Sequence, residues 1–248
     1  MSRNPLDLNE VARFIEDHIG LEFHDKKLAK LQALTLENIL RRKNPYLFKA
    51  KRTQTANDFI KAILDATVSS GEETVFGNFL EMVAIHVCQQ VFSGRKSGTR
   101  GIDLDFEDGS DKYLVSIKSG PNWGNSNQIK AMVRNFHDAK KTLHTSGGGR
   151  SLNIKFIEGC CYGRDNACEK GTHQKLCGQR FWELISGGSA TLYTDIIEPI
   201  GHAAKEKNDA LEEIYTAKLN DFTAQFVARF CKNGLIDWVK LVEYNSGR

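Results

Sequence analysis

Asp103 and Lys118 are separated by a stretch that reads as a β-hairpin, so a carboxylate and an ammonium group can share one sheet face. Side chains alternate along a strand. Ile102, Leu104 and Phe106 therefore lie on one side, and Asp103 and Asp105 on the other. In the next run Tyr113, Val115 and Ile117 form the apolar set, opposite Leu114, Ser116 and Lys118. Asp108-Gly109 supplies the turn, since both residue types tolerate positive φ. With Asp108 to Asp111 as the loop, Glu107 pairs with Lys112 and Asp103 falls across from Ser116. Lys118 is then its diagonal neighbour, ~7–8 Å away between backbone positions. Asp105 pairs with Leu114, further from the lysine, which favours Asp103. A loop one residue different would reverse the faces. The arrangement suits metal-assisted hydrolysis of a phosphodiester. A bound cation lowers the pKa of an attacking water, and magnesium needs only one or two carboxylates. A lysine can orient that water or offset charge building in the transition state. The same residues would equally serve an ordinary edge hairpin with a surface ion pair.

A second carboxylate adds weight. Ser70-Gly71-Glu72-Glu73 has the form of a capping box opening a helix that runs from Thr74 to about Phe92. Phe76, Leu80, Val83, Val87 and Val91 recur at helical spacing as its buried stripe. Glu81 lies inside this apolar run, where an ionised carboxylate needs a partner, a proton or a metal. Two readings stand: a glutamate at the stripe's edge reaching water, or a helix-borne partner of Asp103 at the metal.

These residues resemble the PD-(D/E)xK nuclease superfamily, which has an acid on a helix, an acid on a strand, a lysine on the next strand and then a helix. Glu81, Gly101-Ile102-Asp103 and Ser116-Ile117-Lys118 fall in that order. Longer stretches are more specific. Asn44-Pro45-Tyr46-Leu47-Phe48-Lys49, Ser116 to Ser126, Gly159-Cys160-Cys161-Tyr162-Gly163-Arg164-Asp165 and Cys177-Gly178-Gln179-Arg180-Phe181-Trp182 are similar to the PmeII-type type II restriction endonucleases. The resemblance covers most of the chain. It implies Mg2+ as cofactor, held by Asp103 and Glu81 with the Ile117 carbonyl as a further ligand, and Lys118 assisting the attacking water. Two positions depart from the pattern. Ile102 stands where the superfamily has proline, and Ser116 replaces the acid two residues before the lysine. A hydroxyl is a weaker ligand, so the resemblance implies that Glu81 supplies the missing charge; Gln128 and Met132 occupy the other known place for such an acid.

The chain carries 34 Lys+Arg against 31 Asp+Glu, a net charge of +3, too small a bias to mark a protein that coats nucleic acid. Local clusters are more informative: Arg41-Arg42-Lys43, Lys49-Ala50-Lys51-Arg52 and Arg95-Lys96-Ser97-Gly98-Thr99-Arg100. The first two read more simply as solvated loops. Arg95, Lys96 and Arg100 immediately precede the proposed metal strand, where phosphates would pass. Asn122, Asn125, Asn127, Gln128 and Lys130 follow Lys118 and are candidates for contacting DNA. Trp123 reads as loop packing or as a stacking surface, and Arg164, Asp165, Gln179 and Arg180 as later candidates. No stretch reads as long and apolar enough to span a membrane, and the N-terminus lacks the apolar core of a signal peptide. A cytoplasmic protein with mostly reduced cysteines is expected. Cys160, Cys161, Cys168 and Cys177, with His173, have poor spacing for zinc, since no Cys-x-x-Cys pair occurs.

Elsewhere helices are expected at Asn9–Ile19, Lys26–Arg42 and Ala56–Val68, with a break at Asn44-Pro45. A further helix is capped by Asn125 with Gln128 closing the box. Its stripe is Ile129, Met132, Val133, Phe136 and Leu143, and Gly147-Gly148-Gly149 ends it. Strands are expected near Phe156 and at Thr191–Ile197. A long helix from Ala203 to Phe230 carries Leu211, Tyr215, Leu219, Phe222, Phe226 and Phe230 on one stripe. The fold class is α/β: a restriction-endonuclease-like core, a small mixed sheet flanked by helices, with helical additions at both ends. One domain spans 1–248, with an N-terminal helical part (1–70), a catalytic core (71–200) and a C-terminal helical part (201–248). The expected activity is Mg-dependent cutting of double-stranded DNA at a short specific sequence, by a homodimer matching the symmetry of its site. A structure-selective or repair nuclease of the same core, and a non-catalytic DNA-binding module, are the alternatives.

Overall fold

The computed structural model describes residues 3–146, 153–202 and 204–247. The expected helix stop at Gly147-Gly148-Gly149 and the helix start at Ala203 lie outside them. The chain forms two compact units, one made of residues 1–19 and 76–202 and the other of 20–75 and 203–248.

The first unit holds α1 (Leu8–Ile19), the C-terminal part of α5 (Ala56–Phe92), and a five-stranded sheet with its covering helices. The sheet order is β1 (Arg95–Lys96), β2 (Leu104–Asp108), β3 (Asp111–Lys118), β4 (Asn153–Cys160) and β5 (Gln174–Cys177). β1, β2 and β3 are antiparallel, whereas β3, β4 and β5 are parallel, so the sheet is mixed as expected. The parallel β3–β4 pair needs a crossover, which α6 (Ser126–Ser146) supplies. Met132, Phe136 and Ala139 of α6 bury Ile102 and Leu114. Phe181 of α7 (Gln179–Ile185) lies against Gly159, where an added Cβ would sit 2.3 Å from the ring. Both sheet faces are thus covered, and the centre of β3 is buried on both sides.

The hairpin register follows from alternation as far as Leu104. Ile102, expected beside Leu104 and Phe106, packs instead with Leu114 and α6 on the other face. Asp105 pairs with Leu114, Glu107 with Lys112 and Asp108 with Asp111, around a turn in which Gly109 has φ 62°. Regular pairing starts only at Leu104. Asp103 is held differently: its amide donates to the Val115 carbonyl at 2.8 Å and its carboxylate accepts from the Ile117 amide at 2.7 Å. A side-chain oxygen replaces a ladder carbonyl at this point.

The second unit is helical: α2 (Lys26–Gln32), α3 (Leu36–Arg41), α4 (Pro45–Ala50), the first part of α5, α10 (Ala204–Phe230) and α11 (Trp238–Ser246), with a two-stranded ribbon of β6 (Cys231–Lys232) and β7 (Leu235–Ile236). Its core joins Leu31, Ile39, Phe59, Ile63, Phe222, Phe226 and Leu241. The α10 stripe expected from Leu211 to Phe230 packs inside this unit.

Several expected elements are corrected. The Ser70 capping box does not start a helix, because α5 runs unbroken from Ala56 to Phe92. The Ser70 carbonyl instead accepts from the Thr74 hydroxyl one turn on, at 3.1 Å. The expected Lys26–Arg42 helix breaks where Thr35 adopts extended backbone and caps Asn38. Asn44 caps α4, whose first residue is Pro45. The expected strand at Thr191–Ile197 is replaced by two short helices, α8 (Leu192–Asp195) and α9 (Ile197–Ile200). Ile129, placed on the α6 core stripe, is exposed in the first turn. By length and composition α5 would suffice to cross a membrane, against expectation, although half of its most apolar window is buried among protein side chains, as in a core helix.

Candidate active site

The hairpin brings three of the expected groups into contact. Asp103 Oδ2 accepts from Ile117 N at 2.7 Å and from Ser116 Oγ at 3.4 Å, and lies 3.5 Å from Lys118 Nζ. Gly101, two residues before Asp103, packs against Asn135 of α6. Its φ of 75° suits glycine, and an added Cβ would sit 2.0 Å from the Asn135 side chain. The Asp103 and Lys118 side chains are 26% and 20% exposed, so both are reachable from solvent yet partly desolvated. Lys118 Nζ donates to the Ile117 carbonyl at 2.8 Å and stands 5.0 Å from the centre of the Trp123 ring.

Glu81 comes from α5 and is 23% exposed; its carboxylate is paired with Lys96 Nζ at 3.3 Å. The buried Cys161 thiol senses both Glu81 and Lys118. Burial pushes it up to about 12; the glutamate adds to that shift and the lysine opposes it. Among the described residues Glu81 makes its side-chain contact with Lys96, not with Asp103 or Lys118.

No cluster of three or more His, Cys, Asp or Glu side chains able to hold a metal occurs among the described residues. Magnesium keeps several waters and takes one or two carboxylates alongside substrate phosphate, so a ligand for it need be no more than a carboxylate oxygen facing solvent. Asp103 offers such a ligand, because all of its described side-chain contacts fall on Oδ2 and leave Oδ1 without a partner among the described residues. The Ile117 carbonyl is adjacent but carries the Lys118 ammonium. The cysteine group has a different character: burial pushes the Cys160 and Cys177 thiols up, keeping them neutral.

The candidate DNA contacts divide into two sets. Arg95 and Lys96 extend into solvent, tied to Asp105 at 3.2 Å and to Glu81 at 3.3 Å respectively, and Arg100 is exposed in the following turn. Asn122, Asn127 and Lys130 are exposed on the loop after β3 and the start of α6. Asn125 and Gln128 are also exposed but already engaged. Asn125 Oδ1 accepts from the Asn127 and Gln128 amides, and Gln128 Oε1 accepts from Asn125 N. This is the expected capping box.

Sequence reasoning missed Glu158, which β3–β4 pairing places beside Ser116. Its side chain is 4% exposed and accepts from Trp123 Nε1 at 2.8 Å, with Lys175 Nζ at 2.9 Å and His173 Nε2 at 3.1 Å. Burial alone would raise its pKa. The contacts from His173, Trp123 and Lys175 outweigh that and hold it down to about 2. The available signal was a lone carboxylate within the strand-like run Ile154–Gly159.

Two of the resemblance stretches, Gly159 to Asp165 and Cys177 to Trp182, pack near the loop after Lys118. An added Cβ at Gly120 would meet the Tyr162 ring at 2.4 Å, and one at Gly163 would meet the Pro121 ring at 2.6 Å. Trp182 Nε1 donates to the Cys161 carbonyl at 2.8 Å. A family model described as type II restriction endonuclease EcoO109I matches residues 9–208. No curated protein matches the chain. With most of its length matched, and with a carboxylate, a hydroxyl and a lysine meeting on its central strands, the chain belongs to the type II restriction endonuclease EcoO109I family.

Proposed function

We propose that this chain hydrolyses phosphodiester bonds of double-stranded DNA at a short specific sequence, with Mg2+ as cofactor and as a homodimer in the cytoplasm. The observation that carries the reading is the contact of Asp103, Ser116 and Lys118 at one partly exposed point of the sheet. Asp103 and the Ile117 carbonyl would hold the metal, with Glu81 as the second carboxylate in place of an acid at Ser116. Magnesium so bound would polarise a phosphoryl oxygen and lower the pKa of a water. Lys118 holds a positive charge where charge develops on the phosphate, and its ties to Asp103 and Ile117 O fix the direction of its ammonium. Ser116 keeps the Asp103 carboxylate oriented. Arg95, Lys96 and Arg100 contact phosphates, and Asn122, Asn127 and Lys130 lie on the side of the loop that follows Lys118.

Two of the expected base contacts carry less of this reading. Asn125 and Gln128 stabilise the start of α6 with the side-chain oxygens that base reading would use, so they act by placing Asn122 and Lys130. The α10 stripe is spent on its own unit, so a two-fold contact uses other surfaces; a monomeric mass both alone and on DNA would remove the dimer.

Digestion of unmethylated phage DNA tests the whole reading. Discrete fragments with Mg2+, none with EDTA, and one shared sequence at the ends are expected. Nicking confined to branched or damaged DNA would favour the structure-selective alternative.

A further inference from the structure

The loop between β3 and α6 is anchored beneath by a buried ion cluster. Lys175 Nζ donates to the Pro121 carbonyl at 2.8 Å as well as pairing with Glu158. Glu158 in turn takes the indole N–H of Trp123. That indole presents its face to the Lys118 ammonium. A continuous path therefore runs from His173 and Lys175 through Glu158 and Trp123 to the lysine at Asp103. Each link is short, and the carboxylate at its centre is nearly sealed from water.

We propose that Glu158 is a positioning residue for Lys118, acting through the indole of Trp123. This rests on the nuclease reading above, in which Lys118 works at the phosphate. A lysine stem has four rotatable bonds, and the ties to Ile117 O and Asp103 hold its ammonium from one side only, so a surface on another side limits it further. The indole face attracts the cation and supplies that surface. The face is useful only if the ring itself is held, and the Glu158 carboxylate, clamped by His173 and Lys175, holds its edge. Trp123 also explains why one tryptophan lies half-buried in a loop of Gly, Pro and Asn residues.

Reductive ¹³C-methylation of the full chain gives each lysine a resolved methyl signal, and the signal missing in Lys118→Met reports Lys118. The indole ring current should displace it upfield. Trp123→Leu should return it to the ordinary lysine position, and Trp123→Phe and Glu158→Gln should each shift it part of the way. In single-turnover cleavage with Mg2+, Trp123→Phe and Glu158→Gln should each slow cutting about tenfold. The double variant should be no slower than the slower single one, because Glu158→Gln weakens, by loss of charge, the same N–H contact that Trp123→Phe removes. DNA affinity measured in Ca2+ should stay within about twofold of wild type, since positioning acts on the chemical step. Additive losses, or a folded Glu158→Gln chain with wild-type resonance and rate, would overturn the proposal. If Glu158→Gln does not fold, Trp123→Phe decides alone: an unmoved signal and unchanged rate refute it. A chain that shows the resonance shifts yet cuts no DNA would instead remove the nuclease reading and leave the positioning intact.

Discussion

Two carboxylates flank Ser116 across the sheet, and they are treated in opposite ways. Asp103 sits on the hairpin side, 26% exposed, with one close donor, the Ile117 amide, and looser contacts to Ser116 and Lys118 at 3.4 and 3.5 Å. Glu158 sits on the parallel side, 4% exposed, with donors or cations from three directions within 3.1 Å. Burying an ionised carboxylate requires that it be fully paired, so Glu158 has no capacity left for a ligand. Asp103 keeps one oxygen without a partner among the described residues, and some solvent. Saturation marks a group that holds structure, and incomplete satisfaction beside a cation marks one that can take part in chemistry.

The sharpest way to break this comparison is at Asp103. Asp103→Asn keeps an acceptor for the Ile117 amide while removing the charge. Single-turnover cleavage should fall by roughly 10³-fold or more, with the urea midpoint near wild type. Asp103→Ala should lose activity equally and also destabilise the chain by about 1–3 kcal/mol, because the buried Ile117 amide loses its acceptor. An Asp103→Asn chain that cuts at the wild-type rate would remove this residue from the site.

Glu158 should show the reverse balance. Glu158→Ala strands a cationic Lys175 and an unpartnered Trp123 N–H, and should cost about 3–5 kcal/mol in urea denaturation. The pH dependence follows from the same contacts. The folded carboxyl titrates at about 2 against an ordinary 4.5. A depressed acid stabilises the fold above its unfolded pKa, and that stabilisation is lost as pH falls through the folded one. About 3 kcal/mol should therefore disappear between pH 4.5 and 2. Wild-type stability should drop more steeply over this range than that of Glu158→Gln; equal slopes would show that the carboxylate is not held down.

The contrast between the two carboxylates also explains what could be read from residues alone. The Asp103–Ser116–Lys118 arrangement was legible because its determinants are local: a turn signal, strict alternation and a register fixed within sixteen residues. The Asn125–Gln128 cap was legible for the same reason. Glu158 was not, since its partners Trp123 and His173 lie 35 and 15 residues away and only strand pairing reveals them. Ser70 shows the opposite failure. Its Ser-x-x-Glu pattern is a genuine cap signature, but a local pattern cannot show that the preceding residues are already helical. The Thr191–Ile197 stretch misled through β-branched composition in a segment too short to carry periodicity.

Glu81 offers a subtler test of what distinguishes the two carboxylates, because it is partly exposed like Asp103 yet paired like Glu158. In the proposed role of second metal ligand, its loss should weaken magnesium without moving DNA. Glu81→Gln should raise the Mg2+ concentration for half-maximal cutting about tenfold, with DNA affinity in Ca2+ almost unchanged. Cutting with wild-type magnesium dependence would leave Ser116 unreplaced by this residue.

The smallest effect is expected at Arg95. Its guanidinium is tied to Asp105 at 3.2 Å, but the side chain is 77% exposed. Exposed pairs of this kind contribute little to stability. Asp105 also retains Lys112 at 3.5 Å, so Arg95→Ala should leave the urea midpoint unchanged. Its role in DNA binding should be visible through salt. Removing one phosphate contact should weaken affinity uniformly across sequences and reduce the slope of log affinity against log salt by about 1. Cleavage at saturating DNA should be unaffected, because the proposed role of the guanidinium is in the approach of the duplex and not at the scissile phosphate. An unchanged salt slope would detach β1 from the DNA path and leave Arg95 as a surface partner of Asp105.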